Sequence, residues 1–179
     1  MTNGSVTYQQ NEFFNLRKNK IFYSSKSISG CYGKWYFEGT HKPGGTGFHL
    51  FGFGYTNFQG VYFYPQGSKI PRVRFTKQFS PYDGDGDLIP MSFEVGDDHT
   101  VGLGIDYDNE MFTVYYNDNY YVHHFKKPEK CGRIFVIIRG ASIEMSDDVS
   151  VNFGSSPFKY NITSFTPWQE NIGKIYCFA

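Results

Sequence analysis

Apolar and polar residues alternate with period two through much of this chain, and helical periodicity is hard to find anywhere. Val101, Leu103 and Ile105 fall on one side, and Gly102, Gly104 and Asp106 on the other. After a polar stretch at 106–110, Phe112, Val114 and Tyr116 alternate with Thr113, Tyr115 and Asn117. Asn117-Asp118-Asn119 reads as a second turn, because Asn and Asp tolerate positive φ and bond their own backbone. Residues 120–125 then return. The stretch 99–125 therefore predicts a three-stranded antiparallel meander.

The same reading predicts strands over 34–40 and 48–55, separated by a Pro-Gly-Gly loop at 43–45. Residues 134–139 are continuously apolar up to Arg139 and predict a strand through the core. Residues 149–153 alternate again, and 13–16 and 21–23 are weaker strand candidates. Residues 60–90, rich in Gly, Pro and Asp with embedded aromatics, read as one long irregular loop. Loops of that length are uncommon in a compact domain and tend to be functional. Many short strands with regular turn signals predict an all-β sandwich. Neither a linker nor an internal repeat divides the chain, so residues 1–179 are expected to form one domain.

Composition sharpens this picture. The chain holds 19 Phe, 15 Tyr and 2 Trp, and aromatic residues make up 20% of it. Such residues favour half-buried pleated positions and supply contact surface with a polar handle. Lys+Arg and Asp+Glu both number 17, so no electrostatic footprint marks a nucleic-acid or anionic-membrane partner. No apolar run approaches the ~18–20 residues of a membrane span. Cys31, Cys131 and Cys177 cannot all pair within the chain, and none lies in a Cys-x-x-Cys unit. Neither a disulfide framework nor a zinc site is predicted. Reduced thiols in a cytoplasmic (or nuclear) compartment are the simplest expectation. The first residues show no basic-then-apolar leader, so the sequons at Asn3 and Asn161 read as chance matches.

Four segments, in order, resemble the SPRY domain, the core of the B30.2 family. Gly33-Lys34-Trp35-Tyr36-Phe37-Glu38 resembles its Gly-basic-aromatic-aromatic-apolar-Glu strand, and Phe51-Gly52-Phe53-Gly54 its apolar-Gly-apolar-Gly strand. Residues 100–109, Thr-Val-Gly-Leu-Gly-Ile-Asp-Tyr-Asp-Asn, resemble its apolar-Gly-x-Gly-apolar-Asp segment, followed by the strand that ends at Asn117-Asp118. Residues 149–160, Val-Ser-Val-Asn-Phe-Gly-Ser-Ser-Pro-Phe-Lys-Tyr, are similar to its closing segment. The likeness is strongest over 30–160. The glycines make sense where a strand or bulky aromatic crosses close to the backbone. In the closing segment Val149, Val151 and Phe153 belong on one strand face, and Phe158 is expected to fold back under the sheet. The resemblance implies a bent, concanavalin-like sandwich of two antiparallel sheets that recognises proteins through loops at one end. The PRY half is not evident in residues 1–30. No RING, B-box, coiled-coil or SOCS-box segment is attached, so no ligase role is implied.

Catalytic and metal signatures are weak. Asp83, Asp85, Asp87 and Glu94 partly mimic an EF-hand loop, but position six is Leu88 where that loop needs Gly, so a solvated turn is the expectation. His123 and His124 are adjacent on a strand and point to opposite faces. His41, His49 and His99 have no ligand spacing, so no metal site is predicted. A Gly-x-Ser-x-Gly elbow and a phosphate-cradling loop are both missing. Asp97-Asp98 and Asp147-Asp148 sit beside strands in turn contexts. Neither catalytic residues nor a cofactor are expected.

Recognition residues are better represented. Tyr62, Phe63 and Tyr64, followed by Arg72, Arg74 and Tyr82, combine the residue types that dominate interface hot spots. Arg139-Gly140 matches by position a loop on the peptide-gripping face of SPRY proteins. The expected function is a non-enzymatic module that binds a protein or short peptide, with no nucleic acid and no membrane insertion, as a monomer. The alternative is a lectin-like carbohydrate binder, with Asp83–Asp87 holding calcium.

Overall fold

The computed structural model describes residues 6–9, 12–16, 20–41, 49–54, 60–64, 72–76, 88–90, 100–116, 118–127, 130–140, 147–169 and 172–177. Strands run in chain order as β1 (Val6–Gln9), β2 (Phe14–Leu16), β3 (Lys20–Ser24), β4 (Ile28–Ser29), β5 (Lys34–His41), β6 (His49–Gly54), β7 (Gly60–Tyr64) and β8 (Arg72–Thr76). They continue as β9 (Leu88–Pro90), β10 (Thr100–Asp106), β11 (Met111–Tyr116), β12 (Asn119–His124), β13 (Arg133–Gly140), β14 (Asp147–Asn152), β15 (Thr166–Pro167) and β16 (Ile172–Cys177). No helix occurs among the described residues, and so none is long and apolar enough to cross a membrane.

Two sheets form the sandwich. One follows the order β1-β16-β3-β13-β6-β7-β8-β9, with β4 also paired to β13; the other follows β12-β11-β10-β5-β14-β2, with β15 beside β5. Every pairing is antiparallel except β15 with β5. The meander expected over 99–125 is present as β10, β11 and β12. Its turns are made by Glu110 and Asp118, both at positive φ. Asp106 organises the first turn by accepting from the Asn109 backbone amide at 2.9 Å and its side chain at 2.8 Å.

Between the sheets lie Phe37, Val101, Leu103, Ile105, Phe112 and Val114 from one side and Phe22, Phe51, Phe53, Val136 and Ile138 from the other. Alternation explains the choice: these are the odd members of β5 and β10, the even members of β11 and β13, and Phe51 and Phe53 of β6. Val149, Val151 and Phe153 join the same core, and Trp168 closes it against Trp35 and Phe53. Each fully buried Phe contributes about 1.5–3 kcal/mol relative to an exposed one.

The outer face of β5 and β10 is covered as well, which is why β10 is buried on both faces. Residues 153–168 fold back over it, and Phe158 meets Tyr36 edge-on at 4.9 Å. A Cβ on Gly102 would lie 2.0 Å from the Tyr36 hydroxyl, and one on Gly104 would lie 2.5 Å from the Phe165 ring. The Gly-x-Gly spacing is thus set by two aromatic rings lying on the strand.

The structure departs from the sequence reading at three places. Residues 60–90 are not one irregular loop, since they contain β7, β8 and β9 in a continuous antiparallel ladder. Their Gly and Pro positions hid short strands of aromatic and β-branched residues. Arg139-Gly140, matched by position to a loop, are instead the last two residues of the core strand β13, paired with Leu50 and His49. Finally, Cys31 and Cys131 form a disulfide, where free thiols were expected. They lie 100 residues apart in sequence. Pairing of Ser29 with Arg133 and Ile28 with Ile134 brings them together. Residues 172–177, unassigned from sequence, form β16 between β1 and β3.

Candidate functional site

Seven of the eight predicted recognition residues lie on three strands of one sheet. Tyr62, Phe63 and Tyr64 are in β7, Arg72 and Arg74 in β8, and Arg139 and Gly140 in β13 complete the set with Tyr82, which lies outside the described residues. Tyr64 pairs with Arg72, and Tyr62 with Arg74. β6 joins this pair to β13: Phe51 faces Phe63 on one side and Ile138 on the other, and Arg139 pairs with Leu50. Three interstrand spacings separate β13 from β8, about 14 Å at ~4.8 Å each. Tyr64, Arg72 and Arg139 therefore lie toward the same end of the sheet. Asp83–Asp87, Glu94, His99 and Asp97-Asp98 lie outside the described residues. Among the described residues no group of three His, Cys, Asp or Glu is placed to hold a metal.

A second surface was not singled out from sequence. On the outer side of the meander, Tyr120 is 69% exposed and Val122 38%. Tyr120 sits 6.2 Å from the half-buried Tyr115, which stacks on Tyr160 at 5.8 Å. The Lys159 ammonium lies 5.4 Å above the Tyr160 ring. Alternation in 120–125 was visible in the sequence. That β12 ends its sheet was not, because edge status depends on which strands pair.

Electrostatics here follow from burial. Burial pushes the Tyr36 hydroxyl well above the ordinary tyrosine range, and the neighbouring Glu38 carboxylate adds to it. Tyr36 consequently stays a neutral donor, at 2.8 Å from Glu38 Oε2. Tyr115 is raised by burial and then by Tyr120. His123 is pushed down, first by burial and then by His124, so the imidazole favours its neutral form. It stacks on Tyr121 with ring centroids 6.2 Å apart. For Asp106 burial works upward, but hydrogen bonds from Asn109 and the Lys34 ammonium hold it below the ordinary value of 3.8.

The opposite end of the sandwich is tied down. The disulfide links the segment before β5 to the one before β13. Gly30 N donates to the Gly132 carbonyl at 3.0 Å, and Arg133 donates to Ser27 Oγ at 2.9 Å. Lys26 sits over Trp35 at 4.7 Å and Trp168 at 5.3 Å, a cation–π arrangement that caps the core.

No family profile matches the sequence, and no curated protein matches it. Solved structures do resemble it. The SPRY domain of human HERC1 matches with TM-score 0.53 and 7% identity over 86% of this chain and 96% of that one. The carbohydrate-binding module CBM66 from Bacillus subtilis matches with TM-score 0.51 and 12% identity, covering 83% and 92%. The TRIM65 PSpry domain matches with TM-score 0.48 and 10% identity over 74% and 68%. The fold is the two-sheet β-sandwich found in SPRY domains, an architecture it shares with that carbohydrate-binding module.

Proposed function

We propose that this chain is a non-enzymatic recognition module that binds a protein or a short peptide. The site is the end of the sheet built from β7, β8 and β13. Tyr62 and Tyr64 supply apolar contact with hydroxyl handles, and Phe63 apolar contact alone. Arg72, Arg74 and Arg139 pair with acidic groups or carbonyls of the ligand. Gly140 follows Arg139 in β13, and Tyr82, outside the described residues, is included by residue type alone. The observation that carries the reading is the register Tyr64↔Arg72 and Arg139↔Leu50, which supports one shared patch for residues 75 positions apart in sequence. Tyr and Arg are the residue types that concentrate binding energy in such patches.

Selection of a random peptide library on the intact chain tests this. Selected peptides should bind the Tyr64→Ala/Arg139→Ala double variant at least about tenfold more weakly, as expected for loss of ≥ 1.4 kcal/mol. Peptides that bind both forms equally would place the site elsewhere. Calcium-dependent retention on a glycan array would favour a carbohydrate ligand instead.

A further inference from the structure

We propose that β12 is a pairing edge for a second copy of this chain, joining two sheets antiparallel around a two-fold axis at Val122. Among the described residues the two sheet paths end at β1, β9, β2 and β12, and the strands off the paths, β4 and β15, have two residues each. The first three have 4, 3 and 3 residues, and β12 has 6. β9 also ends in Pro90, which has no amide to offer. Proteins ordinarily blunt a long edge with lysines, proline or a bulge. β12 has none of these: its sequence is Asn-Tyr-Tyr-Val-His-His, and its register with β11 runs unbroken from Tyr116↔Asn119 to Met111↔His124.

A second, independent observation falls on the same strand. Phe13, Tyr32, Tyr120 and Val122 are the exposed large apolar residues among those described, and two of the four belong to β12. Among the described residues, a long edge without lysine, proline or bulge and an exposed apolar patch therefore coincide.

Charge selects the occupant. β12 carries no Asp, Glu, Lys or Arg, so it has nothing to pair with a strongly acidic or basic segment. It also raises no like-charge opposition to a copy of itself. Antiparallel pairing about Val122 sets Tyr120 opposite the partner's His124 and Tyr121 opposite the partner's His123. Tyrosine and imidazole already stack within one copy, at 6.2 Å and 18° between Tyr121 and His123. A six-residue edge buries less than the ~1,200 Å² of a stable interface, so the dimer is weak and concentration-dependent. A monomer was the expectation from sequence.

Sedimentation velocity of the intact chain, from low micromolar to sub-millimolar loading, tests the proposal. The mass should rise from 20.6 kDa towards twice that value. Val122→Lys, which sets a cation opposite its own copy, should stay monomeric with an unchanged unfolding midpoint. Tyr32→Lys, on the loop before β5, should associate as the wild type does. Should Val122→Lys fail to fold, Val122→Cys treated with a short bismaleimide gives the second readout: it should be captured as a dimer, and Tyr32→Cys should not. A wild-type chain of constant monomer mass overturns the proposal. Association unchanged by Val122→Lys, or Val122→Cys capture no greater than that of Tyr32→Cys, overturns it equally.

Discussion

The backbone amide of Tyr160 donates to the buried carboxylate of Glu38 at 3.1 Å, joining residues 122 positions apart. The same carboxylate accepts from the Lys159 amide at 2.8 Å and from the Tyr36 hydroxyl at 2.8 Å. Tyr160 then donates its hydroxyl to the Thr100 carbonyl at 3.0 Å. One side chain thus pins the closing segment onto the outer face of β5. Upstream, Asn152 holds the turn into that segment, accepting from Gly154 N at 2.9 Å and donating to the Ser156 carbonyl at 3.1 Å.

Glu38→Ala should therefore destabilise the chain by about 1–3 kcal/mol, because it strands the buried Tyr36 hydroxyl and removes the acceptor of two partly buried amides. Glu38→Gln should also destabilise, since its amide would present a donor to donors. Denaturant unfolding monitored by tryptophan fluorescence measures both. A loss below about 0.5 kcal/mol for Glu38→Ala, the size of an ordinary surface change, would contradict the clamp.

Gly102→Ala should cost about 1–3 kcal/mol by overpacking, because its Cβ would lie 2.0 Å from the Tyr36 hydroxyl. Removing that hydroxyl with Tyr36→Phe should relieve part of the cost. The two substitutions together should then be less destabilising than the sum of the single changes. Strict additivity in the double-mutant cycle would show that the ring does not lie on the glycine.

Asp106 and His123 both make stability fall on acidification, in separate pH windows. The Asp106 carboxyl is held below its ordinary value of 3.8 by Asn109 and Lys34, so its contribution is complete above that value. It is lost as pH falls through the folded value. Asp106→Asn should remove this acid-side slope and cost about 1–3 kcal/mol at neutral pH. His123 is depressed from 6.5 by burial, so the unfolded chain takes up a proton first as pH falls below 6.5. Stability should decline from there until the folded imidazole protonates too, and His123→Gln should flatten that slope. Unfolding free energies from about pH 2 to 8 read both effects. Identical pH profiles for wild type and variants would contradict them.

The disulfide leaves one of the three cysteines, Cys177, outside the bond. Thiol titration of the unfolded, unreduced chain should therefore find one reactive thiol, rising to three after reduction. Cys131→Ser should cost about 2–4 kcal/mol, the usual range for closing a long loop. Three thiols before reduction would contradict the pairing.

Legibility from sequence followed local pattern. The meander was readable because Val101, Leu103 and Ile105 alternate with residues of a different kind, and its turns carry Asn and Asp. The closing segment was readable because Asn152, Gly154, Phe158 and Tyr160 each fill a separate geometric need. β7 was not, because Val-Tyr-Phe-Tyr is apolar at both parities and shows no period. The Cys31–Cys131 bond and the edge position of β12 were hidden for another reason: both depend on pairings between distant strands, which spacing does not encode. The recognition residues could be named by type, yet the ladder joining Tyr64 to Arg72 requires β7 and β8 to be strands.

Amide hydrogen exchange with and without a library-selected peptide tests the recognition surface most directly. Protection is predicted at 60–64, 72–76 and the 138–140 end of β13. Protection confined to 119–124, or to the disulfide-bearing segments around Cys31 and Cys131, would contradict it.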